Sequence, residues 1–525
     1  MEPEIPTLLD LLDRRASSTP QQAAFFWDNQ AYSFEWLQRG ASRFAMELQQ
    51  RSVASRDRVL ICLPNGPDFF LAFYGVQRAG AIAVPMFPAS GPARISAIAQ
   101  LCGSSIVVVP QKEQNAVQEA PAGLSTVCVG STGECPENAS FPPVQADDIA
   151  FLQYTSGSTG APKGVMLTHR GLLSNVEQLI AGMELSPSDC FVSWLPVYHD
   201  MGLILMTMAP FFLGAKLVLL PTSLANVRSW FDAISRYRGT VTAAPDFAYR
   251  VALRSVRDPA SFDLSSLRLA LNAAEPVRLA TITGFERAFG LRNVLIAGYG
   301  LAEATVGVSA WPPGTPPLVD DRGVVSVGRP FRRIDVQIID GDRTLGPGQI
   351  GEIVVQSPAN TLGYFSDPVE TERLFWQQNW IRTGDLGYLD DSGRLFVTGR
   401  LKNVIKHCGE TIFPQEAEQI VDLLPFVRRC AAVGIDSGGP EGEQLWMFVE
   451  LSRPAGFGEN ELYDSSVDVV QAIQAQLGVR PGRVYLLRPH SIPFTYNGKI
   501  RHAALREMYL SGGLRSSNAV LFPAY

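Results

Sequence analysis

The sequence predicts an α/β protein in two unequal parts. A large multi-subdomain N-terminal part holds parallel-type sheets and ends in a small β unit, and a smaller α+β part follows. Three observations carry this. Short aliphatic runs alternate with helix-length amphipathic segments as far as residue 297. From about Phe331 the pattern changes to short strands split by Gly-containing turns. A chain of 525 residues has room for several cores.

In order, residues 58–63 (RVLICL) read as a strand, 68–78 as a helix and 81–85 as a strand. Residues 105–110 (SIVVVP), 215–221 (AKLVLLP) and 293–297 (NVLIA) repeat the strand signature. Strands of this kind, apolar throughout and separated by helices, belong to parallel sheets covered on both faces. Residues 132–148 are polar and turn-rich and read as a surface loop. Residues 336–340, 351–355 and 393–399 form the small β unit. The boundaries that follow are 1–399 for the large part, 400–403 for the joint and 404–525 for the small part.

Composition narrows the function. With 44 basic and 51 acidic residues the net charge is −7, which excludes a general nucleic-acid or anionic-membrane footprint. The apolar stretches 69–87 and 203–220 are broken by Gln77 and Arg78 in one and by Pro210, Gly214 and Lys216 in the other. Neither reads as a membrane span. No basic-then-apolar leader opens the chain, and the seven cysteines form no CxxC pair. A cytoplasmic protein with reduced thiols is expected. Five histidines without HExxH argue against a zinc enzyme.

The segment 151–165 (FLQYTSGSTGAPKGV) carries the most chemistry. An apolar strand feeds a loop of Thr155, Ser156, Gly157, Ser158, Thr159 and Gly160, with Lys163 close behind. Small residues let backbone N–H groups approach an anion, hydroxyls add donors, and the lysine adds charge. The GxxxxGK[ST] spacing is absent, so this phosphate cradle is not a Walker A loop.

This loop resembles the signature of the adenylate-forming superfamily: acyl-CoA synthetases, fatty acyl-AMP ligases, adenylation domains and luciferases. Four further motifs follow in the family's order: 299–305 (YGLAEAT), 382–385 (RTGD), 399–402 (GRLK) and 497–500 (NGKI). The resemblance implies ATP and Mg²⁺ as cofactors and a small carboxylic acid as substrate. It places the β- and γ-phosphates on Thr155–Lys163, and Mg²⁺ on Glu303 and Thr155, oxygen ligands for a hard cation. Adenine falls to Asn272, Ala273, Ala274, Glu275 and Pro276 with Tyr299 and Gly300, and the ribose to Asp385 and Arg400. Lys499 matches the catalytic lysine between carboxylate and α-phosphate, where negative charge builds. Lys402 matches the hinge of a mobile C-terminal domain. A catalytically silent paralogue is the alternative from another class, disfavoured because these residues occur together.

Several segments resemble the fatty acyl-AMP ligase branch, among them 193–203 (SWLPVYHDMGL) and 244–249 (APDFAY). By that resemblance Trp194, His199, Asp246, Phe247, Gly300, Leu301 and Ala302 line the acid site, and His199 gates or orients the substrate. A structural hydrogen-bonding role for His199 stays open. Two departures stand out. The branch's usual insertion before the RTGD motif is missing, and its APNFAY carries Asp246 in place of Asn. A carboxylate beside an apolar acyl pocket needs a cation, and a substrate ammonium supplies one. The pattern resembles stand-alone β-amino-acid adenylation enzymes of macrolactam pathways. An N-cap on the helix 247–256 is the alternative for Asp246. The expected reading is activation of a β-amino acid and its loading on a carrier protein; the alternatives are a non-amino fatty acid as substrate and coenzyme A as acceptor.

Overall fold

The computed structural model describes residues 5–113, 124–130, 139–156, 162–222, 227–407, 410–436, 443–454, 457–494 and 500–523. Two sheets of the large part are mainly parallel. One runs Ser125–Val127, Ile106–Val108, Arg58–Ile61, Ile82–Pro85 and Ile149–Ser156, all parallel, with Pro162–Thr168 antiparallel at its edge. The other has nine strands. Its parallel centre includes Lys216–Leu219, Cys190–Ser193, Val241–Ala244, Leu269–Asn272 and Leu295–Tyr299. Every residue of Ile82–Pro85, Cys190–Ser193, Val241–Ala244 and Leu269–Asn272 is buried, as strands covered on both faces require.

The small β unit is an antiparallel sheet of Arg343–Thr344, Asp335–Asp340, Gly351–Gln356, Trp380–Leu389 and Phe375–Trp376, extended by Leu395–Arg400. The chain then makes a 3₁₀ turn at Leu401–Asn403 and enters the smaller part. There a four-stranded sheet of Val427–Asp436, Glu443–Leu451, Arg483–Leu487 and Val520–Phe522 packs against helices including Pro414–Asp422, Glu459–Leu477 and His502–Leu510. One buried apolar cluster runs from Leu8 to Leu395, and two others are built wholly from residues 405–520. Separate buried clusters thus lie on either side of residues 400–403.

Two local features shape the cleft described below. Thr168 caps the helix His169–Gly182 by accepting from Gly171 N at 3.0 Å, fixing the exit of the edge strand. Met201–Met208 forms a fully buried π-helix, capped by Asp200, whose Oδ1 accepts from Met201 N at 2.7 Å. Such widened turns are frequent at functional sites.

Candidate active site

A cleft of about 1520 Å³ lies where the larger part meets the smaller one. Lys163, Tyr299, Glu303, Tyr364, Asp385 and Arg400 line it from one side, and Asp422, Phe494, Ile500 and Arg501 from the other. Segments far apart in sequence thus converge on one space.

Strand register does much of the placing. Thr155 stands opposite Lys163 on the antiparallel pair that closes the first sheet. Asp385 stands opposite Arg400 on adjacent strands of the small β unit. Arg400 Nε forms an ion pair with Asp385 Oδ1 at 2.6 Å, and Tyr299 Oη donates to Oδ2 at 2.7 Å. Thr383 Oγ1 accepts from Asp385 N at 3.0 Å and donates to Ile353 O at 2.7 Å. Burial, and next the Asp385 carboxylate, push the Tyr299 phenol well above its ordinary range. Asp385 raises Arg400 in turn. This corner is a fixed carboxylate that can accept from a diol.

Next to it, Tyr364 Oη donates to Glu303 Oε1 at 2.9 Å. Lys163 Nζ lies 4.7 Å from the centre of the Tyr364 ring and is paired with Glu370, which also receives Arg373 Nη1 at 2.6 Å. The lysine, and after it Arg373, hold the Glu370 carboxyl below its ordinary value. Gly157, Ser158, Thr159, Gly160 and Lys499 lie outside the described residues, as does the side chain of Ser156. Gly300 has a steric reason to be glycine: a Cβ there would sit 1.7 Å from Val306 O. Leu301 and Ala302 follow it along the wall, as do Ala273, Ala274, Glu275 and Pro276, with Ala274 at φ 69°. A positive φ in a non-glycine residue marks a constrained turn. His199 lines the cleft paired with Asp200, beside Met201 and Leu205. Lys402 lines it from the 3₁₀ turn.

Four expected site residues are placed differently. Trp194 packs in the core, 5.8 Å from Trp230, and is absent from the cleft wall. The aromatic strand end that suggested a pocket residue serves packing instead. Asn272 is fully buried under the wall, donating to Asp246 Oδ1 at 3.0 Å. Phe247 is not among the lining residues either; its N–H is held by the Glu275 carboxylate. Asp246 has no exposure and does not reach the cleft. It opens the helix Asp246–Ser255 without capping it, Pro245 being the N-cap residue. Its carboxylate accepts from Arg278 Nη1 at 2.8 Å and Arg278 N at 3.2 Å, and Arg250 Nε stands 3.3 Å from it as an ion pair. The cation that this buried carboxylate demands comes from within the chain.

Tyr364, Thr383, Glu370, Arg278 and Asp422 were not picked out from sequence. Tyr364 had a weak signal, lying ahead of the 382–385 motif, and Thr383 belongs to that motif without having been given a role. The other three sit in no recognisable spacing and become visible only through their partners.

The donor set fits a nucleotide with a divalent cation. It offers a carboxylate for hydroxyls, a lysine and arginine for phosphate oxygens, and Glu303 as a hard oxygen ligand. The family model described as AMP-binding enzyme matches residues 12–365. The chain belongs to this family. It is an ATP-dependent, acyl-adenylate-forming ligase whose cofactors are ATP and Mg²⁺.

The chain is 31% identical to the medium-chain-fatty-acid–[acyl-carrier-protein] ligase JamA of Moorena producens (strain JHB), covering 98% of this chain and 96% of the relative. It is 33% identical to the 4-hydroxyphenylalkanoate adenylyltransferase of Mycobacterium marinum (strain ATCC BAA-535 / M), over 97% and 92%. Among solved structures it resembles one from a study of fatty acyl-adenylate ligases of E. coli and L. pneumophila, with TM-score 0.87, 28% identity and coverage of 98% and 99%. McyG A-PCP complexed with phenylalanyl-adenylate superimposes with TM-score 0.88 at 21% identity, covering 98% of this chain and 85% of that one, and shares the fold.

Proposed function

We propose that this ligase activates a small carboxylic acid and passes the acyl group to the phosphopantetheine thiol of a carrier protein. The observation that carries the first step is the convergence of Lys163, Glu303, Tyr299, Asp385 and Arg400 on one cleft. An acid carboxylate oxygen attacks the α-phosphorus, the bond to pyrophosphate breaks, and acyl-adenylate remains. Asp385, fixed by Arg400 and Tyr299, holds the ribose hydroxyls. Lys163 exchanges Glu370 for the β- and γ-phosphates. Thr155 and the loop after it carry donors to the same oxygens, and Glu303 holds Mg²⁺. The turn 273–276 and Gly300 bound the adenine, and Gly300–Ala302 with His199 bound the acid's carboxylate end. Lys499, in sequence between the cleft residues Phe494 and Ile500, is the cation at the reacting oxygens, and Lys402 the pivot of the smaller part. Transfer to a carrier protein is supported by the likeness to JamA, a ligase that acts with an acyl carrier protein.

For the acid, the internal pairing of Asp246 with Arg278 and Arg250 supports a substrate without an amino group, fatty or aryl-alkanoic. The relatives, which act on a medium-chain fatty acid and a 4-hydroxyphenylalkanoate, agree. A second reading, a β-amino acid, has its own observation. Asp246 lies close enough to the buried Glu275 for its charge, after burial itself, to raise that carboxyl. Glu275 lines the cleft, and a substrate ammonium reaching it would find a carboxylate there. The chain is also shorter than its alignment of 577 positions with JamA, so the relative carries residues absent here.

Pyrophosphate exchange with matched pairs of plain and 3-amino acids tests both. Exchange with no acid would overturn the ligase assignment of the cleft. A 3-amino acid outrunning its plain counterpart would overturn the first reading and establish the second. Acyl transfer to coenzyme A but to no carrier protein would overturn the acceptor.

A further inference from the structure

The helix Pro414–Asp422 belongs to the smaller core, yet its last residue is held by the larger part. Arg278 Nη2 forms an ion pair with Asp422 Oδ2 at 2.8 Å, and Arg250 Nη1 donates to the same oxygen at 3.1 Å. Cys430 Sγ lies 3.3 Å from the other oxygen. The Asp422 side chain is 8% exposed and those of Arg278 and Arg250 are 15% and 20% exposed. Each guanidinium thus bridges two carboxylates, Asp246 in its own part and Asp422 in the other. A neighbouring contact runs the same way, from Arg254 Nη1 to Arg428 O at 3.4 Å.

We propose that Asp422 is a positioning residue for adenylation. Held by Arg278 and Arg250, it fixes the smaller part where Phe494, Ile500 and Arg501 stand on the cleft wall. The half-buried charges make this contact directional, because an arginine fork accepts a carboxylate in few geometries. Removing one carboxylate leaves two guanidiniums sharing a single partner, a costly arrangement away from water. Asp422 acts through the placement of its neighbours and exchanges no proton or bond with the reactants. The contact exists only while the two parts are so arranged. Its loss therefore shifts their arrangement and not the nucleotide corner at Asp385. The inference deepens the two-step reading above, whose second half concerns the carrier thiol.

Asp422→Asn and Asp422→Glu in the full chain test it, with pyrophosphate exchange measured beside acyl transfer from isolated acyl-adenylate to a phosphopantetheine thiol. For Asp422→Asn, the exchange rate at saturating ATP should fall about tenfold while the KM for ATP stays within about twofold and transfer is retained. Asp422→Glu should restore most of the exchange. Arg250→Gln, which removes one of the two pairs, should show the same split at about threefold and serves if Asp422→Asn does not fold. Exchange within about twofold of the unaltered chain, or an equal fall in both half-reactions, overturns the proposal. An unaltered chain that transfers to no thiol overturns the carrier reading alone, and the exchange rate against the KM for ATP still decides the role of Asp422.

Discussion

The Asp385 corner of the cleft and the charged cluster buried behind the 273–278 wall are built in different ways. At the nucleotide end, partners are set by strand register. Asp385 faces Arg400, Thr155 faces Lys163, and the side chains point into the open space. Behind the wall, Asp246 is buried and satisfied by Arg250, Arg278 and Asn272, drawn from two helix-side segments and a strand end. Backbone hydrogen bonding fixes the first arrangement whatever is bound. The second rests on shared side-chain charges and responds to what else those charges meet.

The sharpest way to break the comparison is at the nucleotide end. Asp385→Ala removes the common acceptor of Tyr299 and Arg400. Pyrophosphate exchange should drop about a thousandfold, roughly 4 kcal/mol, with the KM for the acid little changed. An effect below about tenfold would show that the corner is scaffolding.

Substitution in the buried cluster should appear in stability. Arg278→Met leaves Asp246 and Asp422 each short of a partner and should cost about 3 kcal/mol, read as a lower denaturant midpoint. If the midpoint holds, Asp246 does not depend on this arginine.

The helix that follows the phosphate hairpin offers a pH test. Burial holds His169 at about 4, and its Nδ1 accepts from Leu8 N at 3.2 Å. A depressed histidine means that the unfolded chain takes the proton first. Stability should therefore be intact above pH 6.5 and fall as the pH drops towards 4, by up to about 3 kcal/mol. His169→Gln should flatten the denaturant midpoint over that window; an unchanged slope would assign the acid sensitivity elsewhere.

The smallest effect concerns Lys163. Glu370→Gln removes its counter-ion, and the KM for ATP should fall about twofold to fivefold with the rate at saturation unchanged. A higher KM would instead make Glu370 part of the nucleotide site.

The same contrast explains what could be read from sequence. Motif residues that face each other across strands were legible, because glycines, hydroxyls and charges recur there at fixed spacing. Asp385, Arg400, Glu303 and Tyr299 reach the cleft as expected. The strand-to-helix alternation and the change of pattern near Phe331 likewise matched the sheets. Asp246 was legible as an unusual buried charge and misread as to its partner. Its cations lie 4 and 32 residues downstream with no motif to announce them. Trp194 shows the converse limit. A large aromatic at a strand end looks the same in a pocket wall as in a core, and only its packing on Trp230 separates the two.

Arg400 is both the partner of Asp385 and the last strand residue before the chain crosses into the smaller core. Anyone recombining this C-terminal part with that of another ligase inherits a constraint from this. A splice upstream of Arg400 imports a foreign grip on the ribose corner, whereas a junction beyond Asn403 leaves that corner native.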